Sequence, residues 1–297
     1  MLDMITQAPI EALPRYKLTA EHIADYHRDG YVVLRGFFDP DEVEPLRLAC
    51  LADPTVAGGL RGVMDSTGNT QRVAGWTDLG NDLLGVFPRI ARAVDGAEAL
   101  LGAEVYHWHS KLSMKPPHTA GRWDWHQDYP YWYNEGCLYP EMLTLMIGVD
   151  PCFEQNGCVK LVKGTNKLGR VDHGQVGETI AIDPERLEQI LRRHEIVPIE
   201  LAPGDACYFD GNTLHASGAN DADVPRTIMH ISYNTVRNNP YVKEGQEHHL
   251  YKPLHKVPDT VLHDGAYEGV LKAQTFNKYK KRADGRNSYG YKIVDVV

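Results

Sequence analysis

The sequence lacks cysteine pairs and long apolar runs, and both absences exclude common classes of protein. Its 297 residues include five cysteines, an odd number, and no two of them form a CxxC pair. This usage argues against a disulfide framework or a structural zinc site and indicates a reducing compartment. Neither a signal peptide nor a membrane span is indicated, so we expect a cytoplasmic protein that does not act at a membrane.

The sequence also has fewer basic than acidic residues. The chain has 31 Lys and Arg against 40 Asp and Glu, a net charge of −9, and a pI of about 5.8. Such a field repels nucleic acid, and the basic run KYKKR at 278–282 is interpreted as a solvated tail. We therefore expect a small-molecule substrate and no nucleic-acid partner, although a local basic pocket is compatible with the overall charge. The sequence leaves open whether the protein is a monomer or a homodimer.

The chain is predicted to form one domain over 1–297. Helical support is expected over 19–102, a β core over about 103–236 and a C-terminal extension over 237–297. In the β core, short alternating strands are separated by Gly, Pro, Asn and Asp, which is typical of a jelly roll or barrel. The expected fold class is an all-β core with flanking helices.

Helix-end signals place three helices in the N-terminal part. Thr19 is a candidate N-cap for a helix that stops before Gly30, and Asp39 with Pro40 begins a second helix. A third helix is expected to end at Gly102. These helices are expected to pack against the β core.

Two segments outside the predicted strands have two interpretations each. Residues 57–85 are rich in glycine and polar residues without a clear period, so they form a long ordered loop, either a surface loop or a lid that places Arg72 and Trp76 at a substrate pocket. The stretch EGQEHHLYKPLH at 244–255 could hold a second metal ion, or it is a solvated or lid segment.

Two histidines and one aspartate form a candidate metal site. His126 and Asp128 in the stretch RWDWHQDYPYWY are separated by one residue, and on a strand such residues point to the same side of the sheet. His215 follows a later strand, 89 residues downstream of His126. Two histidines and a carboxylate on one face of a metal are the donor set of non-haem Fe(II) oxygenases, which leave positions open for a co-substrate and O2.

A cation for the co-substrate lies on the next predicted strand. Arg226 follows His215 by eleven residues, and its guanidinium could bind the distal carboxylate of 2-oxoglutarate through two parallel hydrogen bonds. Ser217, two residues after His215, could donate its hydroxyl to the same carboxylate. The spacing of these five residues is the basis for predicting an iron site that uses 2-oxoglutarate.

A rival metal site is His107 with His109, because an HxH pair on a strand begins many cupin sites. Such sites usually have a glutamate four or five residues on, and here these positions are Ser113 and Met114. His109 is then expected to line the pocket together with Lys111, which lies on the same face of the strand.

The aromatic cluster around the HxD motif is expected to alternate between backing the metal and walling a substrate cleft. Two or three of its six rings should face a ligand, with Tyr129 and Trp132 as the preferred candidates; simple core packing is the alternative. The six residues are Trp123, Trp125, Tyr129, Tyr131, Trp132 and Tyr133.

Several spaced motifs resemble the phytanoyl-CoA dioxygenase (PhyH) family of Fe(II)/2-oxoglutarate oxygenases, including its natural-product and ectoine-hydroxylase branches. The segments that carry the resemblance, in chain order, are DGYVVLRGFFDPDEVEPLR, HSKLSMKPP, WHQDYPYW, NGCVKLVKGTNKLG, APGDACYFDGNTLHASGAN and PRTIMHISY. They cover most of the chain. After the HxD motif, YPYWYNEGCLYP departs from the ectoine-hydroxylase signature.

The resemblance implies a double-stranded β-helix core of cupin-like, jelly-roll type. It implies iron ligation by His126, Asp128 and His215. For 2-oxoglutarate it implies the four residues Arg226, Ser217, Trp132 and Lys111. Related halogenases lack the metal carboxylate, so the presence of Asp128 favours oxygen transfer.

The expected function is hydroxylation of an unactivated C–H bond of a small metabolite, in secondary metabolism, with release of succinate and CO2. Desaturation, cyclisation or epimerisation can branch from the same chemistry. The alternatives are a cupin-like metalloenzyme that does not use 2-oxoglutarate and a non-catalytic protein that keeps the fold. The aromatic wall is compatible with a ring-bearing or cationic substrate.

Overall fold

Thirteen strands and seven α-helices form the regular structure of the described residues, which are 9–241, 249–271 and 276 of a computed structural model. The helices are α1 Ala20–Asp29, α2 Pro40–Ala52, α3 Pro54–Gly59, α4 Leu83–Val86, α5 Ala91–Leu101, α6 Tyr129–Asn134 and α7 Pro184–Leu191. The strands are β1 Tyr31–Leu34, β2 Arg61–Met64, β3 Thr70–Trp76, β4 Val105–Lys115, β5 Trp123–His126, β6 Met142–Gly148, β7 Val159–Val162, β8 His173–Val176, β9 Thr179–Ile182, β10 Ile196–Ile199, β11 Ala206–Asp210, β12 His215–Ser217 and β13 Arg226–Thr235.

Two antiparallel sheets face each other and make the β core. The large sheet has seven strands in the order β1-β11-β6-β13-β4-β3-β2, and the small sheet has four in the order β10-β7-β12-β5. Strands β8 and β9 form a separate hairpin. This arrangement confirms the predicted jelly-roll core with flanking helices.

The predicted helix ends lie where their signals placed them. Thr19 caps α1 by accepting a hydrogen bond from the backbone N–H of His22, and the helix stops at Gly30, whose φ of 85° is the left-handed conformation that glycine adopts without strain. Asp39 and Pro40 begin α2, and Gly102 ends α5. Among the described residues, no helix has the length and apolar character needed to span a bilayer.

The helices cover one face of the large sheet, and the other face is left for the space between the sheets. On β6, Leu143, Leu145 and Ile147 belong to the main hydrophobic cluster, which also contains residues of α2, α4 and α5. Met146, which points the other way, packs with Cys207 of β11 in a second cluster. Both faces of β6 are therefore buried, which explains why its sequence is apolar almost throughout.

Residues 57–85 are not the long loop or lid that the sequence predicted. They contain the end of α3, the hairpin β2–β3 and most of α4. Strand β3 pairs with β4, with Gly75 opposite Lys111, so the hairpin extends the large sheet at its edge. Strand β2 is the outermost of the sheet and half-exposed, and its glycine and polar residues hide the alternation that a more buried strand shows.

A buried arginine joins the N-terminal helices to the described C-terminal segment. Arg92 of α5 is fully buried, and its guanidinium pairs with Glu42 of α2 and donates to the carbonyl of Phe37. Asp259 accepts the backbone N–H of Arg92 at 2.8 Å, and its second oxygen accepts the N–H of Leu13 at 2.6 Å. The helical layer is thus fixed by a charge network that water does not reach.

Replacement of Arg92 by Met should lower the free energy of unfolding by about 3–5 kcal/mol, because the carboxylates of Glu42 and Asp259 would stay buried without their cation. Chemical denaturation followed by circular dichroism measures the change. The matched control is Arg192→Met, which breaks an exposed ion pair with Glu188 and should cost at most about 0.5 kcal/mol. Equal losses for the two variants would contradict this role of Arg92.

Candidate metal centre

Three buried side chains converge on one point between the sheets. The ligand atoms of His126, Asp128 and His215 all lie within 4.8 Å of one another. The Asp128 Oδ1 is 3.8 Å from Nε2 of His126 and 3.7 Å from Nε2 of His215. We call these three residues the metal triad.

Strand pairing brings the two histidines together. His126 is the last residue of β5 and lies opposite His215, the first residue of β12. Asp128 is not on the strand, as the period-two argument assumed, but in the turn that starts α6. The backbone N–H of Tyr129 donates to the carbonyl of Gly211 at 2.9 Å, and this turn returns the Asp128 carboxylate to the imidazoles.

Backbone carbonyls fix which nitrogen of each imidazole faces the metal triad. The Nδ1 of His126 lies 2.7 Å from the carbonyl oxygen of Asp124, and the Nδ1 of His215 lies 3.0 Å from that of Thr213. Because a carbonyl only accepts, Nδ1 carries the proton in both rings. The lone pairs of both Nε2 atoms are then free to bind a metal.

Burial sets the charges of the triad. Burial lowers the pKa of His126 well below its usual value, and the neighbouring His215 lowers it further. Burial also lowers the pKa of His215. For Asp128, burial raises the pKa, but the Lys111 ammonium and the imidazoles outweigh it, and the net pKa is lowered. At neutral pH the triad is two neutral imidazoles and one carboxylate, a donor set that fits Fe(II).

A buried guanidinium lies at the far end of the cavity that begins at the triad. Arg226, 1% exposed, donates from Nη1 to the backbone oxygen of Ser113 at 3.1 Å and to its hydroxyl at 3.2 Å. Its Nε and Nη2 have no hydrogen-bond partner in the described structure. The residues that line this inner cavity are Lys111, Ser113, Trp123, His126, Val159, His215, Ala216, Ser217, Arg226 and His230.

The unpaired donors of Arg226 fit the co-substrate that the sequence predicted. A buried charge without partners is costly, and the Nε and Nη2 atoms of a guanidinium match the two oxygens of a carboxylate. Ser217 lines the same cavity from β12, and Lys111 lines it from β4. The structure thus brings Arg226, Ser217 and Lys111 together with the metal triad.

A second, outer cavity shares Lys111, Trp123 and His126 with the inner one, so the two meet at the triad. Trp132 and His109 lie here, with ring centroids 6.2 Å apart, and Trp132 is therefore not among the residues around Arg226. The residues that line the outer cavity are Arg61, Val63, Val73, His109, Lys111, Trp123, His126, Asp128, Tyr131, Trp132, Glu135, Glu178 and Thr179.

The structure places Trp76 and Arg72 away from these cavities. On β3 they lie opposite Ser110 and Met114 of β4, whereas the cavity-lining Lys111 lies opposite Gly75. Alternation therefore turns Trp76 and Arg72 to the other face of the sheet. Trp76 is fully buried in the main hydrophobic cluster, and Arg72 lines a separate surface pocket.

The aromatic cluster does not alternate as predicted, because residues 129–134 form α6. Trp123, Tyr131 and Trp132 line the outer cavity, which is the expected number of rings. Tyr129 instead packs with other buried rings and donates its hydroxyl to the carbonyl of Cys137. Tyr133 is 37% exposed, under the guanidinium of Arg170.

Three polar residues of this region were not predicted. His230 lines the inner cavity from β13, with no partner for its Nδ1 among the described residues. Lys115, at the end of β4, contacts Ser217. His230 lies four residues after Arg226 on β13, and Lys115 lies four residues after Lys111 on β4. Residues separated by an even number on a strand point to the same face, so the two predicted residues indicate both. Glu135 of the outer cavity follows α6 and carries no such signal.

The rival metal sites have less support. His107 places Nδ1 at 3.0 Å from the carbonyl of Thr77 and Nε2 at 2.8 Å from the Ser110 hydroxyl, so both ring nitrogens are occupied. In the part of the chain that the structure describes, the metal triad is the one group with metal-binding geometry. Residues 242–248 of the histidine-rich stretch, and the basic run 278–282, lie outside the described residues.

Two imidazoles and one carboxylate at a cavity that ends on a buried cation define a class, the non-haem iron oxygenases with a jelly-roll core. A family model described as Phytanoyl-CoA dioxygenase (PhyH) matches residues 26–228. The chain belongs to this family. The protein is accordingly an Fe(II)- and 2-oxoglutarate-dependent dioxygenase, as the sequence predicted.

Similar proteins include an ectoine dioxygenase and a proline hydroxylase. The ectoine dioxygenase of Sphingopyxis alaskensis is 29% identical over 237 residues, which cover 74% of this chain and 77% of that protein. The L-proline trans-4-hydroxylase of Streptomyces griseoviridis is 30% identical over 169 residues, 51% of this chain and 63% of that protein.

Solved structures share the fold at lower identity. EctD from S. alaskensis, in complex with 2-oxoglutarate and 5-hydroxyectoine, superposes with a TM-score of 0.67 at 24% identity, covering 85% of this chain and 94% of that one. The carbocyclase SnoK from nogalamycin biosynthesis gives a TM-score of 0.61 at 19% identity, covering 91% and 98%.

A divalent metal should stabilise the folded protein through the triad. At a Mn(II) concentration of about 100 times its Kd, the free energy of unfolding should rise by about 2.7 kcal/mol, because only the folded chain assembles the three ligands. Thermal unfolding with and without Mn(II) measures this gain, and Asp128→Ala should abolish it. The control, Asp223→Ala, removes an exposed carboxylate and should leave the gain intact. A gain that survives in Asp128→Ala would exclude the triad as the metal site.

Proposed function

We propose that the protein hydroxylates an unactivated C–H bond of a small metabolite, in secondary metabolism, with release of succinate and CO2. His126, Asp128 and His215 hold Fe(II), and Arg226 with Ser217 binds 2-oxoglutarate. The observation that carries the proposal is the inner cavity, which has the two imidazoles of the metal triad at one end and an unpaired guanidinium at the other.

The residues at the two ends of the inner cavity have different roles. Fe(II), when bound by the triad, supplies the activation of O2 and the decarboxylation of the keto acid. The guanidinium of Arg226 binds the distal carboxylate, and the hydroxyl of Ser217 donates to it, so the keto acid end points at the triad. A metalloenzyme that does not use 2-oxoglutarate would have no use for two unpaired donors in this place.

The outer cavity is proposed as the substrate site. Trp123, Tyr131 and Trp132 give it apolar walls, which exclude water from the reacting atoms. The hydroxyl of Tyr131 accepts a hydrogen bond from the N–H of Ile180 at 2.9 Å, which ties α6 to β9. Burial, with Lys111 and His249, lowers the pKa of His109 well below its usual value, so this ring contributes no charge at neutral pH.

A buried carboxylate in the outer cavity supports a substrate with a protonated nitrogen. Glu135 is 8% exposed, and its polar side-chain partner among the described residues is Nε2 of His249, at 3.4 Å. Aromatic rings line the same cavity, and a carboxylate together with aromatic rings is a combination that binds organic cations. Two relatives are named for ectoine and L-proline, and both compounds are small nitrogen-containing rings.

Removal of the guanidinium should weaken co-substrate binding. In Arg226→Met the Kd of 2-oxoglutarate should rise about 100-fold, equivalent to about 2.7 kcal/mol, because the distal carboxylate loses its charged partner. Anaerobic titration of the Fe(II) protein, followed by its charge-transfer absorption, measures this Kd. Arg72→Met is the matched control and should bind like the wild type. An unchanged band in Arg226→Met, or in His126→Ala, would refute the assignment.

The charge of Glu135 should govern the choice of substrate. Small cyclic amino acids such as L-proline, each paired with its N-acetyl derivative, are assayed by succinate release. The wild type should prefer the protonated amines, and Glu135→Gln should lower that preference about tenfold, or about 1.4 kcal/mol. Glu188→Gln, which changes an exposed residue of α7, should not alter it. A preference for the acetylated compounds would exclude a cationic substrate.

A further inference from the structure

Lys115 is a fully buried lysine that binds the strand carrying the distal histidine. It is the last residue of β4, with 0% of its surface exposed. Its ammonium donates to the hydroxyl of Ser217 at 2.8 Å, to the carbonyl of Ser217 at 3.5 Å and to the carbonyl of Gly218. A side chain of the large sheet is thus bonded to β12 of the small sheet, 102 residues away.

Two buried cationic side chains lie side by side where β4 ends. Arg226 is the direct neighbour of Lys115 across the β4–β13 pairing. Among the described residues, no carboxylate forms an ion pair with either side chain, although two buried cations side by side repel each other. Burial, and then Arg226, lowers the pKa of Lys115 well below its usual value. A carboxylate bound beside Arg226 would favour the ammonium form of Lys115.

The hydrogen bond from Lys115 determines where the hydroxyl of Ser217 can donate its own proton. A serine hydroxyl has one proton to donate and two lone pairs. The ammonium occupies one lone pair of the Ser217 oxygen, so the serine proton cannot be given to Lys115 and is available to the cavity that Ser217 lines. An ammonium also has three N–H groups, which match its three oxygen partners.

We propose that Lys115 is a positioning residue for the distal carboxylate of 2-oxoglutarate. It holds Ser217 as a hydrogen-bond donor and keeps β12 against β4. Lys115 does not line the inner cavity and acts through Ser217. This inference rests on the proposed function, in which Arg226 and Ser217 bind that carboxylate.

The test compares two keto acids that differ in the distal carboxylate. 2-Oxoglutarate and 2-oxobutanoate present the same keto acid to the metal, but 2-oxobutanoate has no distal carboxylate. Both are titrated anaerobically into the Fe(II) protein, and the charge-transfer absorption gives each Kd. Lys115→Met should weaken 2-oxoglutarate about 10- to 100-fold, the range of one or two hydrogen bonds to a charged group, and leave 2-oxobutanoate within about twofold.

The variants at Ser217 test the route through the hydroxyl. Ser217→Ala should weaken 2-oxoglutarate selectively as well, and the double variant should be only slightly weaker than Lys115→Met, because the two residues act on one carboxylate. Fully additive losses would show that Lys115 does not act through Ser217 and would overturn the proposal.

Further outcomes would contradict either this proposal or the proposed function on which it rests. Equal weakening of both keto acids, or of neither, would assign Lys115 a merely structural role. Lys115→Gln is the second variant in case Lys115→Met does not fold, and failure of both to fold would overturn the proposal in favour of that structural role. A wild type that binds 2-oxobutanoate as tightly as 2-oxoglutarate would instead refute the proposed function, in which Arg226 selects the distal carboxylate.

Discussion

Uncompensated charge buried between the two sheets is the constraint on which the site depends. Arg226 lies at one end of the inner cavity with Lys115 beside it on β4, and the carboxylate of Asp128 lies with the two imidazoles near the other end. Burial of such groups lowers stability unless partners neutralise them. The fold tolerates them because the helical layer and the large core around β6 supply stability elsewhere. In the proposed function, a metal at the triad and a dicarboxylate at Arg226 would each bring a charge opposite in sign to that of the side chains that bind it.

The strand register fixes the positions of the side chains of the site. Strand β12 lies between β7 and β5, and its three residues place His215 and Ser217 on the same face. On the large sheet, the β4–β13 pairing sets Arg226 beside Lys115 and His230 beside Lys111. A slip of one residue in either pairing would turn these side chains to the opposite face. The long pairing of ten residues on β13 therefore protects the position of the cation relative to the metal triad.

Two site residues on one strand could be predicted from the sequence to lie together. The position of a site residue outside a strand, and the face to which the residues of an edge strand point, could not. His215 and Ser217 both line the inner cavity, as predicted, although the pairing of β12 with β5 is irregular between them. Asp128 reaches the metal triad through the turn that starts α6, and not through the strand alternation on which its prediction was based. Trp76 and Arg72 were misplaced because a sequence shows alternation without showing which face is which. That assignment depends on the register of β3 against β4, a tertiary property.

The two cavities differ in the elements that build them, and this difference separates chemistry from specificity. Strands β4, β7, β12 and β13, each paired on both sides, line the inner cavity together with the edge strand β5. The outer cavity draws residues from α6, the edge hairpin β2–β3 and the β8–β9 hairpin. Edge hairpins and short helices accept substitution at lower cost than central strands, because fewer buried contacts depend on them. If the outer cavity holds the substrate, as proposed, changes in Glu135, Glu178 or Arg61 would alter the choice of substrate while the metal triad and Arg226 keep their positions.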